Sequence, residues 1–185
     1  HPWPRAYKEA LEGSYLAAFP YAKSEARLKD FHFSDPLFTT TIRLFISNNQ
    51  PIKPQAARTL ERPRVCIPKG YNTAVARDWF DQPSLVLERP RTMKNCMLML
   101  ARGRVDFVLA SQDVGWHVIH NEPDLHLPDF RHLSGTEERS VHIMVSRRLD
   151  HGEALIDQLN QRLAEMRRNG RIRELFRAYN RFPGH

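Results

Sequence analysis

The residues best suited to chemistry in this chain are cations, hydroxyls and amides gathered at two strand-to-helix turns. Tyr21, Lys23, Ser24 and Arg27 follow one apolar segment, and Lys69, Gly70, Tyr71 and Asn72 follow another. Open α/β sheets take ligands at the carboxyl ends of parallel strands, and the N–H groups that open a helix favour anions. A carboxylate suits both turns. Other chemistries lack a candidate. The sequence contains no GxSxG, GxGxxG, HExxH or phosphate-loop GK[ST], and Lys69-Gly70 lacks the upstream glycine that a phosphate loop needs. His117 and His120 lie three apart on an expected helix, with His126 and His132 nearby. Nothing fixes a third ligand, so solvent-facing histidines are expected instead of a metal site, and no cofactor is expected.

Elements of ordinary globular composition must position these groups. The 185 residues are 41% hydrophobic and 26% charged, which excludes disorder and fibre. No apolar run approaches the roughly 18 residues needed to cross a bilayer. A net charge of +7 raises the question of nucleic acid. Many of the cations, however, fall after Arg139 on the polar faces of two amphipathic helices, and no zinc-finger, RNA-recognition or helix-turn-helix pattern accompanies them. Nucleic acid is therefore not an expected partner. Cys66 and Cys96, thirty residues apart, have neither CxxC nor zinc spacing; a disulfide and two buried thiols are both open readings.

Along the chain, Pro4, Tyr7, Ala10, Leu11 and Gly13 describe a short helix with a stop. Residues 15–19 (YLAAF) read as a buried strand, Ser24 as the cap of a helical turn, residues 31–33 as extended, and residues 41–47 as a strand. Three prolines make residues 48–63 a connection. A β/α rhythm then sets in: a strand from Arg64, a helix over 73–80, a strand over 84–87, a helix over 92–102 and a strand over 105–110. That alternation predicts parallel strands. Met93, Met97 and Leu100 form a core stripe on the 92–102 helix, which Thr92 caps and Gly103 ends. A further helix follows Ser111 to about His120, residues 141–145 return as a strand, Asp150 and Glu153 have capping-box spacing, and a last helix follows Asn169-Gly170.

In this order the elements resemble the family 3 extracellular solute-binding proteins, the periplasmic receptors of polar amino-acid ABC importers. The blocks that carry the resemblance are YLAAFPYAKSEARLKDFHFSDPLF, RPRVCIPKGYN, MLMLARGRVDFVLAS and the closing VHIMVSRRLDHGEALIDQLNQRLAEMRRNGRIRELFRAY. The most specific parts are Arg27 with Phe33-Ser34-Asp35-Pro36, and Gly103-Arg104-Val105-Asp106. The resemblance implies an α/β, periplasmic-binding-protein-like fold: two α/β lobes joined by two crossing strands near residues 37–46 and 141–146. Residues 1–44 and 146–185 would form the first lobe and residues 45–145 the second. The family's initial β/α unit has no counterpart, so an incomplete first lobe is expected, and with it a homodimer that covers the exposed edge of the 15–19 strand.

By the same resemblance Arg27 falls on the arginine that pairs with a ligand carboxylate, a task suited to its planar fork. Asn72, beside Lys69 and Tyr71, falls near the second-lobe contact, and Trp3 and Tyr21 fall where side chains line the ligand or pack beneath it. Pro20 and Ala22 replace hydroxyl-bearing positions, and Ser111 replaces the carboxylate that holds a ligand α-ammonium. These departures keep anion recognition and disfavour a standard L-amino acid unless Asp113 supplies the negative partner. The implied function is a non-enzymatic receptor in the periplasm, with a small-molecule ligand and an ABC permease or sensor as partners. The alternative is a prephenate or arogenate dehydratase-like enzyme. An oxidising periplasm would join Cys66 to Cys96, one on the second lobe's first strand and the other on a helix packed against its sheet.

Overall fold

A computed structural model describes residues 3–50, 60–73, 76, 84–133 and 137–179. In chain order its elements begin with α1 (Trp3–Leu11), β1 (Ala18–Tyr21), α2 (Glu25–Asp30), β2 (Phe31–Phe33), β3 (Phe38–Ser47), β4 (Arg64–Cys66) and β5 (Val86–Glu88). They continue with α3 (Met93–Ala101), β6 (Phe107–Ser111), α4 (Gln112–Asn121), β7 (Phe130–His132), β8 (Glu137–Ser146), α5 (Gly152–Arg168) and α6 (Arg171–Tyr179). Two compact units result, one from Trp3–Thr40 with Arg139–His185, the other from Thr41–Glu138. The chain leaves the first unit within β3 and returns to it within β8. The boundaries expected at 44/45 and 145/146 fall inside these same two strands.

In the first unit β8 lies between two short antiparallel neighbours, because Met144 pairs with Ala18 of β1 on one side and with Phe33 of β2 on the other. The helix α1 covers them. Its Ala10 joins Ala18, Tyr21, Phe31 and Met144 in one small core, with Trp3, Tyr7 and Leu11 packed against it. Gly13, at φ +80°, ends the helix in the left-handed conformation that glycine adopts without penalty, and Ser14 N–H returns to Glu9 O at 2.9 Å. The Ser34-Asp35 pair ties β2 to its surroundings: Ser34 Oγ accepts from Ile143 N–H at 3.0 Å, and Asp35 N–H donates to Asn160 Oδ1 on α5 at 2.7 Å.

Two expectations fail here. The strand read over 15–19 is displaced to residues 18–21, and Tyr15, Leu16 and Phe19 are exposed. An apolar run has no inherent register; pairing with β8 selects Ala18 and Tyr21 as the inward residues. The capping box of Asp150 and Glu153 does not form either. His151, at φ +63°, holds the position before α5 and makes no side-chain capping bond. The next residue is glycine for a steric reason, since a Cβ on Gly152 would lie 2.9 Å from Ser146 O.

The second unit is a sheet buried on both faces. Phe45 of β3 pairs with Val108 of β6 and His132 of β7, both antiparallel, while β4 runs parallel to both β6 and β5. The β/α alternation is thus realised as parallel pairing in β5, β4 and β6. Strand alternation sorts the side chains: Leu44, Ile46, Val65, Ile67, Phe107 and Leu109 face one core, and Phe45, Cys66, Val108 and Ala110 face the other. Each such fully buried aliphatic or aromatic side chain contributes about 1.5–3 kcal/mol.

Helix α3 lays Met93, Cys96, Met97 and Leu100 on the second of these cores, as its stripe predicts. Thr92 Oγ1 accepts from Asn95 N–H at 3.2 Å to cap it. Because Cys96 and Cys66 face the same core, they meet, and a disulfide joins them. Asp106 closes the far end: its carboxylate accepts from Arg64 N–H at 2.8 Å, from Nη2 at 2.8 Å and from Nε at 3.2 Å, joining the starts of β4 and β6. The strands expected over 84–87 and 105–110 are shifted by one or two residues, to Val86–Glu88 and Phe107–Ser111. The helix expected over 73–80 lies almost wholly outside the described residues, as does most of the 48–63 connection.

Candidate functional site

In the first unit, Arg27 is placed by its own helix. Ser24 Oγ accepts from Arg27 N–H at 3.4 Å and so fixes the start of α2, and Arg27 Nη1 turns back to donate to Ala22 O at 2.9 Å. Its guanidinium carbon lies 5.0 Å from the centre of the Tyr21 ring, a cation–π arrangement. Burial lowers the Arg27 pKa, and Tyr21 and Tyr7 oppose that shift.

Below Arg27 the aromatics are packed. Tyr21 is 3% exposed, meets Trp3 edge-on with ring centres 4.9 Å apart, and donates its hydroxyl to Trp3 O at 3.0 Å. Tyr7 donates to Asp30 Oδ2 at 2.9 Å; burial first, then this bond, pushes its pKa up to about 12. Tyr21 thus belongs to the small core and carries the Arg27 guanidinium over its ring, while Trp3 is partly buried and packs against that core.

In the second unit the parallel strands β5, β4 and β6 end at one edge. Gly70, at φ +86°, turns the chain after β4, and Tyr71 N–H donates to Pro68 O at 3.2 Å. Lys69 is exposed, while Tyr71 and Asn72 are half-buried, with the Tyr71 ring packed against both cores. The segment after β5 is bound to this turn through Ile67 N–H to Glu88 O at 3.0 Å and Lys69 N–H to Pro90 O at 2.8 Å. Register sets Cys66 beside Val108, three residues before Ser111. Ser111 opens α4 without a side-chain capping bond, and the neighbouring Gln112 accepts from Arg43 Nε at 2.8 Å.

Two cations at this edge escaped the sequence reading. Arg43 belongs to β3, and Arg89 follows β5 directly and donates through Nη2 to Tyr71 O at 3.3 Å. Arg89 could have been found by the strand-end rule that singled out Lys69. Among the histidines, His117, His120 and His126 are exposed, but His132 is not. It stacks edge-on with Phe45 and Trp116, because its pairing with Phe45 turns it toward the α4 side of the sheet. Among the described residues no group of three or more His, Cys, Asp or Glu could hold a metal ion, and no helix is long and apolar enough to cross a membrane.

The sequence model of the bacterial extracellular solute-binding proteins, family 3, matches residues 2–182. The chain belongs to this family. No curated protein matches the sequence. Among solved structures, the fold is similar to an arginine 3rd transport system periplasmic binding protein from Legionella pneumophila, with TM-score 0.81 and 14% identity over 97% of this chain and 78% of that one. It is also similar to the amino acid ABC transporter substrate-binding protein AbpA from Streptococcus pneumoniae, bound to L-arginine, with TM-score 0.79 and 18% identity over 96% of this chain and 73% of that one. A third is the ancestral amino-acid-binding protein AncCDT-1, a precursor of cyclohexadienyl dehydratase, with TM-score 0.78 and 15% identity over 96% and 74% of the two chains. As a family 3 solute-binding protein this chain has the periplasmic-binding-protein-like fold, and binding proteins dominate among its structural neighbours.

Proposed function

We propose that this protein is a periplasmic receptor that captures a small carboxylate-bearing or amino-acid-like solute for an ABC importer or a sensor and does not transform it. The observation that carries this reading is Arg27, a half-buried guanidinium placed by the Ser24 cap and held over the Tyr21 ring. The planar fork of a guanidinium suits a carboxylate, which it can hold with two parallel, charge-assisted bonds. The proposed ligand contacts are Arg27, Trp3 and Tyr21 in the first unit and Lys69, Tyr71, Asn72 and Ser111 in the second. Several structural neighbours are named for arginine. A cationic side chain suits this protein poorly, because the edge that carries Ser111 also carries Lys69 and Arg89, and like charges repel.

Calorimetric titration with paired carboxylic and amino acids tests the reading. A carboxylate without an α-ammonium is expected to bind at least as well as its amino-acid counterpart. Arg27→Ala is expected to cost about 2–5 kcal/mol of binding while leaving the fold intact. Arg27→Lys is also expected to weaken binding, because an ammonium cannot reproduce the fork. Normal binding by Arg27→Ala overturns the site assignment, and binding restricted to L-amino acids overturns the expectation drawn from Pro20, Ala22 and Ser111. A neighbour that is a dehydratase precursor keeps the enzyme reading in view. Turnover of prephenate by the purified protein would replace the receptor reading with it.

A further inference from the structure

Arg27 shares its short helix with a carboxylate. Asp30 lies three residues further along α2, the spacing at which opposite charges on one helix face pair. The Asp30 side chain is committed elsewhere: its Oδ2 accepts from the Tyr7 hydroxyl of α1 at 2.9 Å. Tyr7 lies within electrostatic reach of both groups, since Asp30 raises its pKa and Arg27 lowers it. The Arg27 pKa, by contrast, is set by burial, Tyr21 and Tyr7, with no part played by Asp30. Packing keeps the tyrosine from following the carboxylate. Its ring meets Phe31 edge-on with centres 5.0 Å apart and lies 6.5 Å from the Tyr21 ring that carries the guanidinium. The backbone at Asp30 is tied as well, because its O accepts from Arg147 N–H at 2.9 Å. An internal carboxylate on the Arg27 fork would compete with any anion arriving from solution, and a hydroxyl that holds that carboxylate removes the competitor.

We propose that Tyr7 is a positioning residue for solute capture: its hydroxyl ties Asp30 to α1 and so keeps the Asp30 carboxylate off the Arg27 fork. This rests on the receptor reading, in which Arg27 takes a carboxylate of the solute, and all three residues belong to the first unit.

The test is a double-mutant cycle on the full chain, read by calorimetry with butyrate, succinate and L-glutamate as probes. Tyr7→Phe keeps the ring and removes the hydroxyl. It is expected to weaken Arg27-dependent binding about fivefold, the share that a partly exposed ion pair withholds from a competing anion. In the Asp30→Asn background the same substitution is expected to change affinity by no more than about twofold, because the competing charge is gone. A purely structural role of Tyr7, exerted through the packing of α1, would cost the same in both backgrounds and overturns the proposal. Arg27-dependent binding that Tyr7→Phe leaves unchanged or tightens overturns the role of Tyr7 alone and leaves the receptor reading standing. Should Tyr7→Phe fail to fold by circular dichroism, Asp30→Glu answers instead, since one more methylene carries the carboxylate past the Tyr7 hydroxyl. A several-fold loss of affinity in that variant supports the proposal, and unchanged affinity overturns it. Absence of binding by all three acids, or binding unaffected by Arg27→Ala, overturns the receptor reading and this inference together.

Discussion

The two units of this chain solve the burial problem differently. The second sandwiches its sheet between two cores, so that successive residues such as Leu44, Phe45 and Ile46 are all fully buried. It adds a disulfide across thirty residues of chain. The first has one small core, built largely from aromatic rings meeting edge-on, and leaves Tyr15, Leu16 and Phe19 exposed. Stability in the second unit is spread over many apolar contacts and a covalent link. In the first, among the described residues, it is shared by a few rings, buried aliphatic residues such as Val145 and Ile156, and polar ties at Ser34, His142 and Asp30. The contrast teaches that Arg27, the residue proposed to take an anionic group, sits on the less redundant support.

Breaking the covalent link is the largest way to disturb this contrast. Replacing both Cys66 and Cys96 with alanine removes the constraint on a thirty-residue separation and is expected to cost about 3–4 kcal/mol in the chain-entropy picture. Hydrogen exchange resolves the units. Faster exchange is expected in β4, α3 and β6, with α1 and β1 nearly unchanged; an equal loss in both units would erase the comparison.

A smaller effect is expected from Gly115→Ala. A Cβ at that position would fall 2.2 Å from the Phe45 ring, so the gain in helix propensity is outweighed by overpacking, at about 1–3 kcal/mol. Denaturant unfolding measures it. A stabilised variant would show that the Phe45 ring yields easily and that this core is looser than its burial suggests.

The smallest effect concerns pH and sharpens the comparison from the other side. His142, 2% exposed on β8, must donate from Nδ1 to Ser34 O at 2.7 Å, which leaves Nε2 to accept from the Ser140 hydroxyl at 2.9 Å. Burial lowers its pKa, with Lys23 pushing the same way and the Ser34 bond and Asp35 opposing. The unfolded chain therefore binds the proton more tightly than the folded one. Stability is complete above the ordinary histidine pKa of about 6.5 and declines as the pH falls toward the lowered value. His132 in the second unit is lowered by burial and by Arg43, so it contributes with the same sign. Thermal unfolding between pH 7 and pH 5 is expected to show a falling midpoint, and His142→Gln to flatten the slope. An unchanged slope in that variant would remove His142 from the account.

Local signals in the sequence were legible where their physics is local. The Ser24 and Thr92 caps act across three residues, Gly13 acts on its own φ, and the stripe of Met93, Met97 and Leu100 repeats within one helix. Each was readable before any strand was paired. The same holds for the start of α2 that follows β1, because a strand end followed by a helix start is a short-range pattern.

Partners brought together by pairing were not legible. The YLAAF segment shifted because only β8 could choose its register. The start of α5 fell to His151, beside a glycine that packs closely on Ser146 O of β8. Composition and spacing left Cys66 and Cys96 open between bridge and thiols, and the shared core face decided it. Arg89 met the Tyr71 carbonyl only when β5 paired with β4. The sequence by itself determined most of the elements and their alternation, since caps and periodicity act within a few residues. Which strand faces meet, which carbonyl Arg89 reaches and which cysteines touch were decided by the tertiary structure, since those contacts join residues far apart in the chain and exist only once the sheet register is set.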